Sequence, residues 1–351
     1  MDFAFSEEQE LLRAAARDYL ADRWPSDHVV TTADAEPSFD GKVWRELADL
    51  GWLDPSLGLL EHAVIAEETG FALLPAPWFS TTALAGPVLD APLQERVAAG
   101  ERAVTLAWAE PASWTLRGQR SSVRADGDRL TGSKVPVADL ASVTDVVVVA
   151  ADGLYVVDLV EHPDVVVPLS TTDRTRRLGE LRLDGTPARR LDAGLDRLDD
   201  VRRRALALAA CEAVGVSQRA MDLAAEHTKT RQQFGRVIGT YQGVSHQVAN
   251  IYVALQLSRS LAYWAAWAVS EGDPEQETAV AAAKAFATES AVLACESAIQ
   301  VHGGIGFTWE HVLHRYYKRA QWLEAFEGYG RLHRAAVAAA ILDGNGTEVA
   351  A

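Results

Sequence analysis

Cysteine, basic residues and long apolar runs are all scarce in this sequence of 351 residues. Its two cysteines, Cys211 and Cys295, lie far apart in alanine-rich stretches, and neither belongs to a C-x-x-C or histidine-containing metal pattern. Lysine and arginine number 33 against 49 aspartates and glutamates, for a formal net charge of -16. No uninterrupted apolar run approaches the ~20 residues of a membrane span, and residues 1–8 lack the basic-then-apolar pattern of a signal peptide.

Each scarcity excludes a class of function. A protein without a concentrated basic surface is not expected to have nucleic acid or an anionic membrane as its main partner. The cysteines are expected to be small buried side chains, and no metal site is expected. The sequence therefore predicts a cytoplasmic globular protein, and its hydrophobic fraction of 48% is ordinary for that class.

The hydrophobic pattern changes twice along the chain and predicts three domains. Residues 1–102 have helical periodicity, and Ser6 with Gln9 matches a capping box. Residues 103–193 contain short β-branched runs and Asp-Gly turns, which predict an antiparallel sheet or barrel. Residues 194–351 repeat apolar side chains every three or four positions, which predicts a four-helix bundle in an α+β protein. Three bundle helices are predicted at about residues 242–271, 276–302 and 329–342.

Two segments of the bundle are not explained by helix packing. The first, residues 231–242, reads Arg-Gln-Gln-Phe-Gly-Arg-Val-Ile-Gly-Thr-Tyr-Gln. Its planar guanidinium at Arg231 suits a diphosphate, although a structural turn with a solvated arginine accounts for the same residues. The second, residues 300–308, reads Gln-Val-His-Gly-Gly-Ile-Gly-Phe-Thr. Its glycines let backbone N–H groups approach an anion, and a helix end followed by a tight turn is the alternative.

A third segment, Ala-Phe-Glu-Gly-Tyr at residues 325–329, places Glu327 just before the last predicted helix. A glutamate in this position is commonly a surface residue that complements the helix dipole.

The order of these segments resembles the acyl-CoA dehydrogenase family, in which R-x-x-F-G...Q and Q-x-x-G-G-x-G-F help to bind FAD non-covalently. The resemblance includes the Phe-Ser-Glu-Glu-Gln start, the Gly-Trp-Leu at 51–53, the Leu-Thr-Gly-Ser-Lys at 130–134 and the helical, β, helical order. It implies that one set of residues binds the diphosphate and adenine side of FAD across a dimer interface: Arg231, Gln233, Phe234, Gln242, Gln300, Gly303 and Gly304.

The resemblance also implies the reaction. Glu327 stands where the family carries its base, with Phe326 in place of the usual tyrosine. It would remove the α-proton of an acyl-CoA while the flavin N5 accepts the β-hydrogen as hydride, with electron-transferring flavoprotein as the acceptor. Some members place the base on the first bundle helix, but the corresponding Arg204 and Ala205 offer no carboxylate.

The flavin-ring side of the pattern departs from the family. Glu110 and Pro111 are kept, but Ala112-Ser113-Trp114 replaces the usual Gly-Ser-Asp, and Val-Pro-Val-Ala at 135–138 replaces an aromatic and a hydroxyl residue. The short segment at 51–70 resembles compact actinobacterial subunits that act on CoA thioesters of steroid side chains, and it favours a bulky or branched acyl group.

Several alternatives follow from these departures. The chain is expected to form a homodimer, a homotetramer or an α2β2 heterotetramer with a related subunit. It could be a half-site subunit that completes a partner's FAD site without catalysing the reaction itself. A flavin monooxygenase relative is a further alternative, but such an enzyme has no need of Glu327.

Overall fold

In the computed structural model, the described residues are 5–25, 28–29, 40–111, 114–118 and 121–342. They belong to two compact units that are interleaved along the chain. The helical unit takes its described residues from Met1–Val30, Leu59–Leu74 and Leu206–Ala351, and the β unit takes its own from Thr31–Gly58 and Pro75–Ala205. The division into three domains at residues 102 and 193 stays a prediction from sequence.

The α-helices of the described residues are α1 (Glu7–Arg23), α2 (Gly41–Asp49), α3 (Leu59–Ala72), α4 (Ala91–Ala98), α5 (Leu198–Thr230), α6 (Gln242–Ser270), α7 (Gln276–His302), α8 (Leu313–Ala325) and α9 (Gly330–Leu342). The strands are β1 (Val104–Ala107), β2 (Arg124–Asp126), β3 (Arg129–Ala138), β4 (Asp145–Val149), β5 (Leu154–Asp158), β6 (Val166–Pro168), β7 (Leu178–Pro187), β8 (Arg189–Arg190), β9 (Gln232–Gln233) and β10 (Arg236–Val237).

Helix α1 begins with the predicted capping box. The Ser6 hydroxyl accepts the N–H of Gln9 at 3.1 Å, and the Gln9 side chain accepts the N–H of Ser6 at 3.1 Å. The two bonds satisfy two of the backbone donors that every helix N-terminus leaves without an intrahelical partner.

Helix α3 packs against α5 at very short range, and two glycines allow it. A Cβ atom on Gly215 would lie 1.8 Å from the carbonyl oxygen of Glu67, and one on Gly70 would lie 2.2 Å from that of Glu212. The close approach buries the carboxylate of Glu67, which accepts bonds from Arg259 at 2.8 and 3.1 Å. Buried charges of this kind require such partners.

Helix α7 is the apolar centre of the bundle. By length and composition alone, Gln276–Phe307 could cross a membrane, but 72% of its apolar window is buried inside the protein. Small residues line it: 17 of its side chains are buried, eight of them alanines among residues 279–298. This is the pattern of a core helix in a bundle of closely packed neighbours.

The β unit contains two four-stranded sheets, in the orders β1-β4-β5-β8 and β2-β3-β7-β6. Their pairings are antiparallel, as predicted, except that β1 runs parallel to β4, with Val104 opposite Asp145. Apolar side chains from both sheets form one core, and its members include Leu130, Val137, Val146, Val148, Tyr155, Val157, Leu181 and Leu183. Among the described strands the sheets stay open, which matches the predicted sheet and not the predicted barrel.

Helix α8 was not predicted from the sequence. Four bundle helices were expected between residues 194 and 351. The described part of that range contains five. Arg315 and Arg319 lie on the buried side of α8, where an apolar pattern would not place them. Arg319 is tolerated there because its guanidinium lies 2.5 Å from the equally buried carboxylate of Glu212 on α5.

Candidate active site

The hairpin β9–β10 carries the first predicted cofactor segment. Gln233 pairs with Arg236, and the two residues between them, Phe234 and Gly235, have φ angles of +54° and +81°. Positive φ at both central positions is the requirement of a type I′ hairpin turn. The Tyr241 hydroxyl donates to the Gln233 carbonyl at 3.1 Å, next to the turn. Phe234 at the tip is 92% exposed.

Arg231 lies directly before the hairpin, at the end of α5. Its N–H donates to the carbonyl of His227 at 2.9 Å, which fixes its backbone to the last turn of the helix. Its side chain is exposed and makes no hydrogen bond or ion pair with any described residue. The five donors of this guanidinium are therefore available for a ligand.

Helix α6 begins immediately after the same segment. Its first residue, Gln242, is exposed, and the preceding Tyr241 makes no side-chain cap bond to the helix. The first N–H groups of a helix carry a partial positive charge and have no intrahelical acceptor. A negatively charged group near Gln242 would be stabilised by them.

The glycine turn, defined here as residues 303–307, follows the C-terminus of α7. Gly303 has φ +65° and ψ -140°, a conformation that suits glycine. A Cβ atom on Gly303 or Gly304 would meet no atom within 4 Å, so the backbone of this turn is open to an approaching group. Gly306 differs, because a Cβ there would lie 2.7 Å from the Ile299 carbonyl oxygen. Gln300, in the last turn of α7, is exposed beside the turn.

Three neighbouring histidine rings join the end of α5, just before the hairpin, to the end of α7, just before the glycine turn. The rings of His227 on α5 and His302 on α7 are 4.2 Å apart between centroids, and His311 lies 4.5 Å from His302. Burial lowers the pKa of all three, and neighbouring imidazoles help to lower that of His311 to about 4. The rings are therefore neutral at pH 7 and can pack together without repulsion. Among the described residues, no His, Cys, Asp or Glu cluster is arranged to hold a metal ion.

Glu327 lies in the loop between α8 and α9, as predicted, and it is 5% exposed. Its φ is +55°, which is unusual for a residue with a side chain. Its carbonyl oxygen lies 3.1 Å from Nε2 of His333, which donates to it. The ammonium of Lys284 donates to the carbonyls of Glu324 and Gly328, both at 3.1 Å. Hydrogen bonds therefore hold the backbone at Glu327 itself and on both sides of it.

Lys284 is a part of this site that the sequence did not indicate. It lies on α7 and is 0% exposed. Burial lowers its pKa to about 8, and the negative charges of Glu324, Glu327 and Glu289 act in the opposite direction. The alanines around it suggested only close helix packing. The one sequence feature that could have identified Lys284 is that it is a lysine in an otherwise small and apolar stretch.

In the β unit, Lys134 holds the segment that the sequence resemblance places beside the flavin ring. Its Nζ lies 2.6 Å from Oε1 of Glu110 and 3.1 Å from the carbonyl oxygen of Trp108. Burial would raise the pKa of Glu110, but hydrogen bonds from Lys134 and Ser122 outweigh burial and lower it to about 2. The pair fixes the start of this segment as an anion and a cation in contact.

The remaining part of that segment bears on the predicted departure from the family. Ala112 and Ser113 lie outside the described residues. Trp114 is 66% exposed, while its indole N–H donates to the Pro111 carbonyl at 3.1 Å. Residues 135–138 form the end of β3.

Sequence models of one family match most of the chain. The acyl-CoA dehydrogenase N-terminal domain matches residues 6–91, and the acyl-CoA dehydrogenase C-terminal domain matches residues 203–342. Two similar proteins are the acyl-CoA dehydrogenases IpdE2 of Mycolicibacterium smegmatis and Mycobacterium tuberculosis. The first is 30% identical over 90% of this chain and 93% of its own, and the second 29% identical over 90% and 91%.

Solved structures of the same family have the same fold. A variant of the Tcur3481-Tcur3483 steroid acyl-CoA dehydrogenase aligns with a TM-score of 0.84 and 28% identity, over 97% of this chain and 99% of that chain. The ChsE4-ChsE5 complex of Mycobacterium tuberculosis aligns with a TM-score of 0.86 and 25% identity, over 98% and 100%. The chain therefore belongs to the acyl-CoA dehydrogenase family of flavin-dependent oxidoreductases, and its cofactor is FAD.

Proposed function

We propose that this chain removes the α-proton of an acyl-CoA thioester with Glu327 and so catalyses α,β-dehydrogenation to the 2-enoyl-CoA. One observation carries the proposal: Glu327 is a nearly fully buried carboxylate on a loop whose backbone is tied by Lys284 and His333. A surface residue that complements a helix dipole would need neither burial nor a tied backbone.

The burial of Glu327 matches the demands of the chemistry. The α-proton of a thioester is weakly acidic, so a carboxylate can remove it only if it is well positioned and poorly solvated. Bound FAD supplies a hydride acceptor for the β-hydrogen. The protein's part is to place the carboxyl, to exclude water around it and to hold the proton that it takes up.

The residues around the hairpin fit the FAD diphosphate. Arg231 offers an unpaired guanidinium, the glycine turn offers an open backbone, and α6 offers an uncapped N-terminus. Cationic forks and exposed N–H groups are what phosphate oxygens bind. We assign the diphosphate and adenine side of FAD to the predicted set: Arg231, Gln233, Phe234, Gln242, Gln300, Gly303 and Gly304.

The exposure of this set supports a site shared between subunits. Phe234 is 92% exposed and Arg231 is also exposed, so a ligand bound by them alone would remain largely in solvent. A second subunit that covers the hairpin would bury both. The ChsE4-ChsE5 relative is a complex of two chains, and we propose a homomer or a heteromer of that kind here. Electron-transferring flavoprotein is the proposed electron acceptor.

The proposed substrate is a CoA thioester with a bulky acyl group, of which steroid side chains are the leading class. One structural relative is described as a steroid acyl-CoA dehydrogenase. In this chain, the residues between α2 and α3 number only nine, from 50 to 58, which agrees with the short acyl-side segment noted in the sequence.

A second candidate function keeps the fold without the catalysis. The ring-side residues 135–138 lack the aromatic and hydroxyl side chains of the family pattern. This favours a subunit that completes a partner's FAD site. Its FAD-binding residues would then be needed while Glu327 would not.

The decisive experiment replaces Glu327 by Gln and follows flavin absorbance during addition of acyl-CoA thioesters. We expect the variant to keep its FAD spectrum and to lose at least about 100-fold in the rate of flavin reduction, because the general base is gone. Glu271→Gln, at the exposed end of α6, is the matched control and should reduce at the wild-type rate.

The same preparation separates the alternatives. Wild-type protein that binds no FAD alone, but does so with its partner, supports the shared site. If Glu327→Gln is then reduced as fast as wild type, Glu327 is not the base and the half-site function is the correct one. The acyl-CoA set should span short, long and steroid-side-chain thioesters.

A further inference from the structure

We infer that Lys284 is a positioning residue for α-proton removal, because its buried ammonium fixes the backbone on both sides of Glu327. The inference rests on the proposed role of Glu327 as the base. Lys284 does not itself contact the reacting atoms; it acts through the loop that carries the carboxyl.

The contacts of Lys284 join two different structural elements. The Glu324 carbonyl belongs to the last turn of α8, where carbonyl groups have no intrahelical partner. The Gly328 carbonyl belongs to the loop beyond the helix. A single ammonium at 3.1 Å from both therefore holds the loop against the end of α8. A cation at a helix C-terminus is also favoured by the helix dipole.

The conformation of Glu327 explains why the loop needs such a tie. Its φ of +55° lies in the left-handed region, which costs a residue with a Cβ about 1–2 kcal/mol. A backbone that could relax to negative φ would turn the carboxyl in a different direction. Lys284, through the carbonyls of Glu324 and Gly328, and His333, through the carbonyl of Glu327 itself, keep Glu327 in the left-handed conformation.

The position of Lys284 in α7 argues against a packing role. Its side chain is 0% exposed, and its ammonium donates to the carbonyls of Glu324 and Gly328, while the carboxylates of Glu289, Glu324 and Glu327 act on it through their charge. Burying an ammonium is costly even with these charges nearby, as its lowered pKa indicates, and an apolar side chain of similar length would fill the same space more favourably. The two hydrogen bonds to the loop are the contribution that an apolar side chain could not make.

Lys284→Met tests the inference, since methionine fills similar space and removes the donors. We expect kcat and the rate of deuterium incorporation at the α-carbon of the bound acyl-CoA in D2O to fall about 100-fold, as for a misplaced catalytic group. KM should stay within about twofold and the FAD spectrum should be unchanged, because substrate and cofactor contacts remain.

Amide hydrogen exchange of residues 325–329 should become faster. Lys42→Met, on an exposed face of α2, is the control.

The outcomes distinguish the inference from the function on which it rests. If Glu327→Gln abolishes deuterium incorporation while Lys284→Met leaves it at the wild-type rate, the role of Lys284 is wrong and the base assignment stands. If Glu327→Gln retains deuterium incorporation, both are wrong. Should Lys284→Met fail to fold, Lys284→Leu, which also lacks a hydrogen-bond donor, replaces it. A lower kcat at constant KM then supports the inference, and a wild-type kcat overturns it.

Discussion

The loop of Glu327 and the hairpin of Arg231 belong to the same helical unit, yet they are built in opposite ways. Glu327 is 5% exposed and its backbone is tied by two buried donors. The hairpin projects Phe234 at 92% exposure, and the side chain of Arg231 makes no hydrogen bond to any described residue. One region is ordered by the chain itself, and the other presents its binding groups outward.

The difference follows from what each region is proposed to do. A base must be placed before the substrate arrives, because reorganisation during the reaction adds to the barrier. A diphosphate-binding site can be completed by its ligand and by a neighbouring subunit, since charged hydrogen bonds form as binding occurs. In the β unit, the buried Lys134–Glu110 pair is of the first kind, with a separation of 2.6 Å.

The largest expected effect is a pH dependence that belongs to the buried loop alone. Burial lowers the pKa of Lys284 to about 8 from the ordinary 10.5. Between these pH values the unfolded chain keeps a proton that the folded chain has lost, so the free energy of unfolding rises with pH. Relative to Lys284→Met, the wild-type value should rise by up to about 3 kcal/mol from pH 8 to about pH 10.

Urea denaturation at a series of pH values measures this rise. Lys42→Met should follow the wild-type curve, because that lysine is exposed in the folded chain. Parallel curves for wild type and Lys284→Met would show that Lys284 is not a buried cation. Hairpin variants such as Arg231→Met should leave the pH dependence as it is.

The next largest effect is a loss of FAD affinity without a comparable loss of folding stability. Arg231→Met should weaken FAD binding by about 10- to 100-fold, because hydrogen bonds to charged groups contribute about 1.5–3 kcal/mol. The free energy of unfolding without FAD should change by less than about 0.5 kcal/mol, since the side chain is exposed. Flavin fluorescence titration and urea denaturation give the two quantities.

Arg236→Met is the matched control for Arg231→Met. Its guanidinium is 4.0 Å from the centroid of the Tyr241 ring, so it is already engaged within the hairpin. We expect its effect on FAD affinity to be less than about threefold. Equal losses in the two variants would mean that the hairpin contributes general positive charge and not a specific arginine contact.

The smallest effect distinguishes two neighbouring glycines of the glycine turn. Gly303→Ala should lower the free energy of unfolding by about 1 kcal/mol, because its φ of +65° is unfavourable for alanine. Gly304→Ala should cost less, since a Cβ there meets no atom within 4 Å and its φ lies outside the left-handed region. Thermal unfolding of the two apo variants measures the difference. Equal destabilisation would contradict the conformational explanation.

Much of the fold was predictable because it depends on local patterns. The capping box of Ser6 and Gln9, the three later bundle helices and the antiparallel pairs all follow from periodicity and turn residues. Helix α8 was not predictable in this way, because its buried Arg319 is stabilised by Glu212, a partner 107 residues away. The parallel β1–β4 pair was not predictable from local pattern either, since the sequence of a strand does not specify the direction of its neighbour.

The amino-acid sequence by itself determined the order of helical and β parts and the family, because these depend on residue types at short spacing. The resemblance to that family then named the candidate base and cofactor residues. Only the tertiary structure decided that Glu327 is buried in a left-handed conformation and that Lys284 holds its loop. It also decided that stacked histidines join the ends of α5 and α7. The physical reason is that burial and hydrogen bonding between distant residues arise from packing, which no short segment contains.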